Sequence, residues 1–225
     1  MIITADSTVA DIATAAPATI RVFQQRGIDF CCGGRLPLAE VCENHGLSAA
    51  TVLSELLASL HHPTERADWR LAPLSDLVAH IQTRFHEPLR AELFRLEVML
   101  DKVISRHGDR HGGTLGSLRA VFTSFRSDLL QHMDAEDAGL FPAIVAGERL
   151  PAGAALSAFE ADHANAGAAL AEMRQLTDGY TPPEGACPTF RGLYYGLSEL
   201  ERDMHLHVHL ENNILFPRAI FTRCS

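Results

Sequence analysis

Apolar residues recur along this chain three or four positions apart, and nowhere do they alternate with polar residues over a useful length. This spacing places apolar side chains on one face of a helix, whereas strands would require alternation. Four long amphipathic segments are predicted at about 74–106, 117–147, 154–177 and 188–221. Because short connections containing Gly or Pro separate them, the sequence predicts an all-α fold whose four long helices form an antiparallel bundle.

The N-terminal region predicts a smaller set of short helices. Gly27 follows a predicted helix that starts near Pro17, and it is suited to end that helix in a left-handed conformation. Ser48 is predicted to cap the N-terminus of a later helix with apolar residues at helical spacing. We therefore predict a small helical domain over residues 1–62, a linker at 63–73 and the four-helix bundle over 74–225.

The charge and cysteine content narrow the expected setting. The formal net charge is −9 and the chain has no dense Lys/Arg tract. Nucleic acids and anionic membranes attract basic patches, so neither is an expected partner. The chain has no apolar run long enough to span a membrane and no basic start typical of a secretory signal. Five cysteines give an odd count, which argues against a disulfide framework and favours a reducing cytoplasm.

One motif occurs twice with the same internal spacing. The first copy runs from His132 through Glu136 to Leu-Phe-Pro ending at Pro142, and each matched residue of the second copy lies 75 positions later. A histidine and a glutamate four positions apart on a helix lie about 5–6 Å from each other between Cβ atoms. Each copy therefore predicts an imidazole and a carboxylate on one helical face, and His207 with Glu211 form the second pair.

The other two long helices offer one suitable histidine each. His86 precedes His132 by 46 positions and His163 precedes His207 by 44 positions, a near-equality that fits a duplicated helical hairpin and selects His86 over His80. The spacing thus predicts a metal centre with four imidazoles and two carboxylates. This donor set suits iron, manganese or zinc, and bridging carboxylates in a four-helix bundle favour two iron ions. The predicted ligands are His86, His132, Glu136, His163, His207 and Glu211.

Several neighbours of these ligands have more ordinary interpretations. His205 and His209 point away from the face of Glu211 and are predicted to face solvent or to support the ligands. Glu160 and Asp162 are either solvated helix charges or residues that orient the ring of His163. Each proline that follows a ligand removes a backbone donor, so a local kink is expected there. These prolines are Pro88, Pro142 and Pro217.

A second chemical feature is Cys31-Cys32, placed in a predicted turn before two glycines. Vicinal cysteines can bridge only through a strained ring, so a structural disulfide is not expected. Exposed adjacent thiols can bind a soft metal or accept a nitrosyl group. The alternative is that both are small residues of a tight turn. Cys42, Cys187 and Cys224 are isolated in the sequence and receive no role.

Taken together, these motifs resemble the di-iron iron–sulfur cluster repair proteins, also called repair of iron centres proteins. The resemblance covers nearly the whole chain. The residues that carry it are Asp29-Phe30-Cys31-Cys32-Gly33-Gly34, Asp68-Trp69-Arg70, His132-Met133 through Leu140-Phe141-Pro142, Glu160-x-x-His163, and His207 through Glu211-Asn212-Asn213-Ile214-Leu215-Phe216-Pro217-Arg218.

The resemblance implies a hemerythrin-like bundle with a carboxylate-bridged, non-haem centre of two iron ions. It carries all six ligands over to this chain and assigns Cys31 and Cys32 a part in handling iron or nitric oxide. The implied function is repair of iron–sulfur clusters damaged by nitrosative or oxidative stress, with the damaged proteins as partners and iron as the donated species. Its oligomeric state is left open, with a dimer as one option.

Two other functions compete with iron donation. A diferrous centre can reduce nitric oxide catalytically, which would make the protein an enzyme. The centre can instead bind O₂ or NO as a sensor that signals through the N-terminal region. A structural zinc site is the weakest option, because such sites rarely use bridged pairs with six ligands.

Overall fold

The structure is a computed structural model that describes residues 3–60, 68–148 and 154–221. Residues 63–67 of the predicted linker and Cys224 lie outside these ranges. Within them the chain is helical, and its one β contact is an isolated bridge between Thr8 and Pro37. The all-α prediction is confirmed. None of the helices in these ranges is long and apolar enough to cross a membrane.

Ten α-helices follow one another in the described ranges. They are α1 (Val9–Ala15), α2 (Ile20–Arg26), α3 (Leu38–Asn44), α4 (Ala49–Ser59), α5 (Leu74–Ile81), α6 (Glu87–Ala135), α7 (Phe141–Val145), α8 (Ala154–Leu176), α9 (Pro188–Leu210) and α10 (Phe216–Phe221). The chain groups into two compact units. One unit comprises Met1–Leu77 with His205–Ser225, and the other comprises Val78–Met204.

The first unit has its own apolar core, formed by the short N-terminal helices. Two predicted helix ends are confirmed: Gly27 ends α2 with φ 65°, and the Ser48 side chain accepts a hydrogen bond from the backbone N–H of Thr51. Only glycine adopts that left-handed φ without strain, so Gly27 lets the chain turn sharply after α2. The core residues are Ile3, Val9, Ile12, Ala13, Ile20, Val22, Phe23, Ile28, Phe30, Leu38, Val41, Cys42, Val52 and Leu56.

The C-terminal part of this unit also anchors the end of the linker region. Arg218, on α10, donates hydrogen bonds to the backbone carbonyls of Trp69 at 2.5 Å and Ala72 at 2.6 Å. Each bond runs from a charged donor to a carbonyl, and such bonds are stronger than neutral ones. The described end of the predicted linker is therefore held in place by the hydrogen bonds that its backbone carbonyls accept from Arg218.

The second unit is built on a helical hairpin within α6. Helical hydrogen bonding continues through the predicted Gly-rich break, and only His111 departs from helical geometry, with φ −125° and ψ 17°. The chain nevertheless reverses there. Arg119 pairs with Asp101 at 2.8 Å and Arg90 with Asp134 at 2.7 Å, contacts that require the two arms to run antiparallel. The first two predicted long helices are thus the two arms of α6, and the chain reverses between them at His111.

Heptad spacing explains how the arms of α6 pack. The buried leucines and phenylalanines recur every three or four residues, which gives each arm one apolar stripe. They are Leu89, Leu93, Leu96, Leu100, Leu115, Leu118, Phe122, Phe125 and Leu129. Helix α9 approaches the first arm closely at Gly196, where a Cβ atom would lie 2.6 Å from the side chain of Leu96. The two arms of α6, together with α8 and the part of α9 up to Met204, make the helical bundle of the second unit.

Three short π-helical turns interrupt the helices in the part of the chain that the structure describes. They span Gln82–His86, Glu136–Leu140 and Glu211–Leu215, and a proline follows the start of each by the same six positions. Proline lacks an N–H and its ring clashes with the carbonyl four residues earlier. In each turn the residue before the proline donates to the carbonyl five residues back, which widens the helix and makes room for the ring. The expected kinks are therefore π-turns.

Candidate metal centre

Glu136 is the first residue of the second π-turn and lies between two histidines of the same unit. Its Oε2 is 3.3 Å from Nε2 of His132 and 3.5 Å from Nε2 of His86. On the neighbouring α8, His163 places its Nε2 2.9 Å from Nε2 of His132. The ligand atoms of His132, Glu136 and His163 lie within 4.8 Å of one another, so one cation can contact all three.

The burial of Glu136 favours a cation at this position. Its side chain is fully buried, and neither carboxylate oxygen accepts a hydrogen bond from the described residues. A buried carboxylate without donors costs several kcal/mol relative to water, and a bound cation removes that cost. The residues present therefore fit a metal ion, and one oxygen of Glu136 lies near both His86 and His132.

An anchored carboxylate orients the ring of His86. Asp137 Oδ1 lies 2.9 Å from His86 Nδ1, and Asp137 also accepts hydrogen bonds from Gln82 and Arg90, each at 3.0 Å. Burial acts to raise the pKa of Asp137, but the bond from Gln82, the charge of His86 and the remaining hydrogen bonds outweigh it and lower the pKa. Asp137 therefore accepts a hydrogen bond from Nδ1–H of His86, so the lone pair of the ring is on Nε2, the nitrogen near Glu136.

The corresponding partner of His132 is far more exposed. Asp162 Oδ2 lies 3.3 Å from His132 Nδ1, and the side chain of Asp162 is 56% exposed. The sequence had suggested that Asp162 orients His163, its neighbour in the chain. In the structure the contact is instead with His132 on α6, because α8 packs against α6 and turns Asp162 toward that histidine.

The second copy of the motif belongs to the first unit and has the same local form. Nε2 of His207 is 2.9 Å from Oε1 of Glu211, both side chains are buried, and Glu211 starts the third π-turn as Glu136 starts the second. The spacing of four residues on a helix thus brings each predicted imidazole and carboxylate together.

The remaining face of this helix contacts the Cys31-Cys32 turn of the same unit. Asn213 donates to the backbone carbonyls of Phe30 and Cys31, both at 3.3 Å. His209 Nδ1 lies 3.3 Å from the Phe30 carbonyl, and its ring packs edge-on against Phe30. Burial lowers the pKa of His209 to about 4. The sequence had allowed His209 to face solvent; instead it is buried, because the N-terminal core covers it.

Asp29 holds the cysteine turn in shape. Its carboxylate accepts the backbone N–H groups of Cys31, Cys32 and Gly33 at 2.8–3.0 Å. Burial acts to raise the pKa of Asp29, but hydrogen bonds from the Cys31 side chain and the three N–H groups outweigh it and lower the pKa. A turn whose amides converge on one carboxylate is ordered without a disulfide.

The two thiols differ in exposure. Cys31 is buried and Cys32 half-buried, whereas the sequence had suggested that both are exposed. Their sulfur atoms are 3.7 Å apart, and Sγ of Cys31 is 3.1 Å from Oδ1 of Asp29. The hydrogen bond with Cys32, burial and the charge of Asp29 raise the pKa of Cys31 well above its usual value. Cys31 therefore keeps its proton at neutral pH.

Sequence reasoning missed some contacts that join distant segments. Cys187 lies 3.3 Å from Nε2 of His107 and is not isolated, although 80 residues separate the two. Asp137 and Asn213 were also missed as partners of His86 and of the cysteine turn. The one available signal was that both lie within the duplicated motif at positions where the two copies differ.

Two family profiles together match most of the chain. The hemerythrin HHE cation binding domain matches residues 77–219, and ScdA_N, described as a domain of unknown function, matches residues 5–60. The chain is 41% identical to the iron-sulfur cluster repair protein YtfE of Edwardsiella ictaluri, over 96% of this chain and 97% of that protein. It is 38% identical to the YtfE proteins of Pectobacterium carotovorum, over 96% and 97%, and of Yersinia pseudotuberculosis, over 93% and 94%.

Proposed function

Because this chain belongs to the family of iron-sulfur cluster repair proteins that join an ScdA_N domain to a hemerythrin HHE cation binding domain, we propose that it repairs damaged clusters by donating iron. The iron is held in a centre of two ions. The damage arises from nitrosative or oxidative stress, and the partners are the proteins whose clusters have lost iron. Iron is thus both the bound metal and the cargo.

The proposed ligands are the six residues of the duplicated motif and its partner histidines. The buried carboxylate of Glu136, which accepts no hydrogen bond from the described residues, carries this proposal. The contacts of His86 and of His132 with the same Glu136 oxygen support its role as a bridge, and the repeat gives Glu211 the same role. His163 and His207 complete the set. Imidazole and carboxylate ligands suit iron.

The donor set favours a reversible site. Four imidazoles are neutral ligands, and two glutamates supply less negative charge than two Fe²⁺ ions carry, so the centre remains cationic. A site with few anions holds divalent metal less tightly than a carboxylate-rich one. When bound, the iron pair would supply the transferable Fe²⁺, while the histidines and glutamates orient it and keep water out.

Iron transfer can be tested directly with a damaged acceptor. The full-length protein is loaded anaerobically with Fe²⁺ and mixed with a 4Fe–4S hydratase that NO has inactivated. We expect faster and fuller recovery of hydratase activity than an equal amount of free Fe²⁺ gives. The Glu136→Gln variant, which lacks the proposed bridge, should give no more recovery than free Fe²⁺, whereas Glu172→Gln, an exposed change on α8, should match the wild type.

Two results would overturn the donor proposal. The first is recovery no better than that with free Fe²⁺. The second is continuous formation of N₂O from NO, with a reductant present and both irons retained, because this would identify a catalytic NO reductase. Iron content and headspace gas are therefore measured on the same samples.

We also propose that Cys31 and Cys32 take part in handling iron or NO. Their adjacent sulfur atoms, and the attachment of their turn to the helix that bears His207 and Glu211, support this role. The double variant C31S/C32S should load iron normally but deliver it more slowly. Cys187→Ser, which also removes a half-buried thiol, is the matched control. Unchanged delivery by C31S/C32S would leave both cysteines with a structural role only.

A further inference from the structure

The two histidines that share Glu136 are supported very unequally by their surroundings. Asp137, the partner of His86, is 28% exposed and is itself bonded to Gln82 and Arg90. Gln82 and His86 are the first and last residues of one π-turn, so the same turn supplies the ligand and a donor to its carboxylate. A carboxylate fixed in this way holds the imidazole in one orientation.

A stacked aromatic ring restrains His86 further. Phe141 lies 5.4 Å from it, ring centre to ring centre, at an interplanar angle of 24°. The imidazole is therefore restrained at its Nδ1 edge and on one face. Since His86 donates its Nδ1–H to Asp137, the Nε2 lone pair is the group 3.5 Å from Glu136, and two acceptors at that distance favour a cation between them.

The support of His132 is weaker. Asp162 is 56% exposed, and its contact with His132 measures 3.3 Å, longer than the 2.9 Å contact of Asp137 with His86. Water competes with an exposed hydrogen bond of this length, so Asp162 orients the ring less strongly. Phe159 meets His132 edge-on rather than stacking upon it.

His132 and His163 can also satisfy each other. Their Nε2 atoms are 2.9 Å apart, which is hydrogen-bond distance for one protonated and one unprotonated nitrogen. That hydrogen bond and a bound cation compete for the same two atoms. Nε2 of both His86 and His132 lies near the same Glu136 oxygen, but only the His132–His163 pair also has this low-cost arrangement that needs no metal among the contacts described above.

We propose that the two metal positions differ in lability, so that the cation held by His132 and His163 is surrendered and the cation held by His86 is retained. The inference rests on the proposed function and names the donated ion. During release His163 acquires a proton at Nε2 and loses one from Nδ1 through water, so the ring stays neutral. Iron leaves as Fe²⁺ and no electron is transferred.

Chelation kinetics test this difference without any activity assay. Full-length protein loaded anaerobically with two Fe²⁺ per chain is mixed with excess ferrozine, and absorbance follows iron release. We expect two phases of equal amplitude, with the fast phase at least about tenfold faster than the slow one. Mössbauer spectra of protein loaded with ⁵⁷Fe, taken after the fast phase, should show a single remaining iron site.

Two aspartate variants assign the phases. Asp162→Asn should speed the fast phase and leave the slow phase within about twofold, whereas Asp137→Asn should speed the slow phase about tenfold or more. Glu172→Gln removes an exposed charge from the same helix as Asp162, about 15 Å further along, and should change neither phase. Circular dichroism of the metal-free variants confirms that each is folded.

Release in one phase from protein holding two irons would overturn this inference. So would an acceleration of the slow phase by Asp162→Asn or of the fast phase by Asp137→Asn. These failures differ from failure of the proposed function, which would appear as a chain that never holds two irons or as iron that never reaches an acceptor protein.

Discussion

The two copies of the duplicated motif, one in each compact unit, have the same local backbone but different surroundings. In both copies a buried histidine precedes a glutamate by four residues, and the glutamate opens a π-turn that ends before a proline. The first copy then uses its other positions for Asp134 and Asp137, which pair with Arg90 and His86. The second copy has His209 and Asn212 at those positions.

The non-ligand positions connect each copy to its own unit. In the second copy His209 and Asn213 contact the backbone of the cysteine turn. The residue equivalent to Asn213 in the first copy is Ala138, which is exposed. Local sequence thus determines the histidine–glutamate pair and the π-turn, whereas the positions that differ between the copies determine which residues the motif contacts.

Glu136 and Glu211, which we propose as bridges, provide the strongest test of what the two copies of the motif share. Glu136→Gln removes the charge that two cations are proposed to share, so we expect iron content to fall at least about tenfold. Glu211→Gln should have the same effect. Because Glu136 is buried without hydrogen-bond donors, its replacement should also stabilise the metal-free protein by roughly 1 kcal/mol or more. Metal analysis and thermal unfolding in chelator measure both effects.

The opposite signs of these effects make the prediction specific. A variant that merely misfolds would lose both iron and stability. Retention of two irons by Glu136→Gln would show that Glu136 is not a ligand, and normal iron content in Glu211→Gln would show that the two copies are not equivalent.

The prolines test whether the π-turns position the ligands. In Pro142→Ala, residue 142 regains an N–H and can donate an ordinary α-helical hydrogen bond. The proline ring that requires the π-turn is then absent. We expect higher stability of the metal-free protein, by up to about 3 kcal/mol, and weaker iron binding as Glu136 rotates. Pro217→Ala should do the same in the second copy. Calorimetry and competition with a chelator are the measurements.

Pro183→Ala controls for loss of a proline outside the helices. Its iron affinity should equal that of the wild type. If Pro142→Ala gained stability without losing affinity, the π-turn would be a means of accommodating proline and would not help to position Glu136.

Sequence reasoning succeeded where contacts are local and failed where they are distant. The spacing of His132 and Glu136 determines their proximity on one helix, and Gly27 and Ser48 end or begin helices through contacts within a few residues. The contact of Asn213 with Phe30 joins residues 183 positions apart, and no local pattern encodes it. Each proline predicts a local disturbance of its helix. Because a proline can produce either a kink or a π-turn, the sequence does not distinguish the two.

A variant of Asp29 tests the order of the cysteine turn, which only the second copy of the motif contacts. Because the pKa of Asp29 is lowered in the folded protein, its charge contributes stability above the unfolded pKa, and that contribution is lost as pH falls through the folded value. Asp29→Asn should therefore destabilise the protein by about 1–3 kcal/mol at neutral pH, with the difference shrinking in acid. Denaturant unfolding followed by the fluorescence of Trp69, the single tryptophan, measures it.

Asp6→Asn is the control, since Asp6 is exposed in the same unit. A loss of stability in Asp29→Asn that is as large in acid as at neutral pH would contradict the charge-based explanation and assign the effect to packing.

The smallest effect is expected from Asn213, whose amide joins the third π-turn to the cysteine turn. Asn213→Ala removes two hydrogen bonds of 3.3 Å to the carbonyls of Phe30 and Cys31, together worth about 1 kcal/mol. Opening of the turn should become about fivefold more frequent, so iodoacetamide should alkylate the buried Cys31 about fivefold faster, as peptide mass spectrometry of the metal-free protein can show. Ala138→Asn, at the equivalent position of the first copy, should leave that rate unchanged. Equal rates in Asn213→Ala and the wild type would mean that Asp29 and His209 order the turn without Asn213 and that the two copies differ less than their contacts imply.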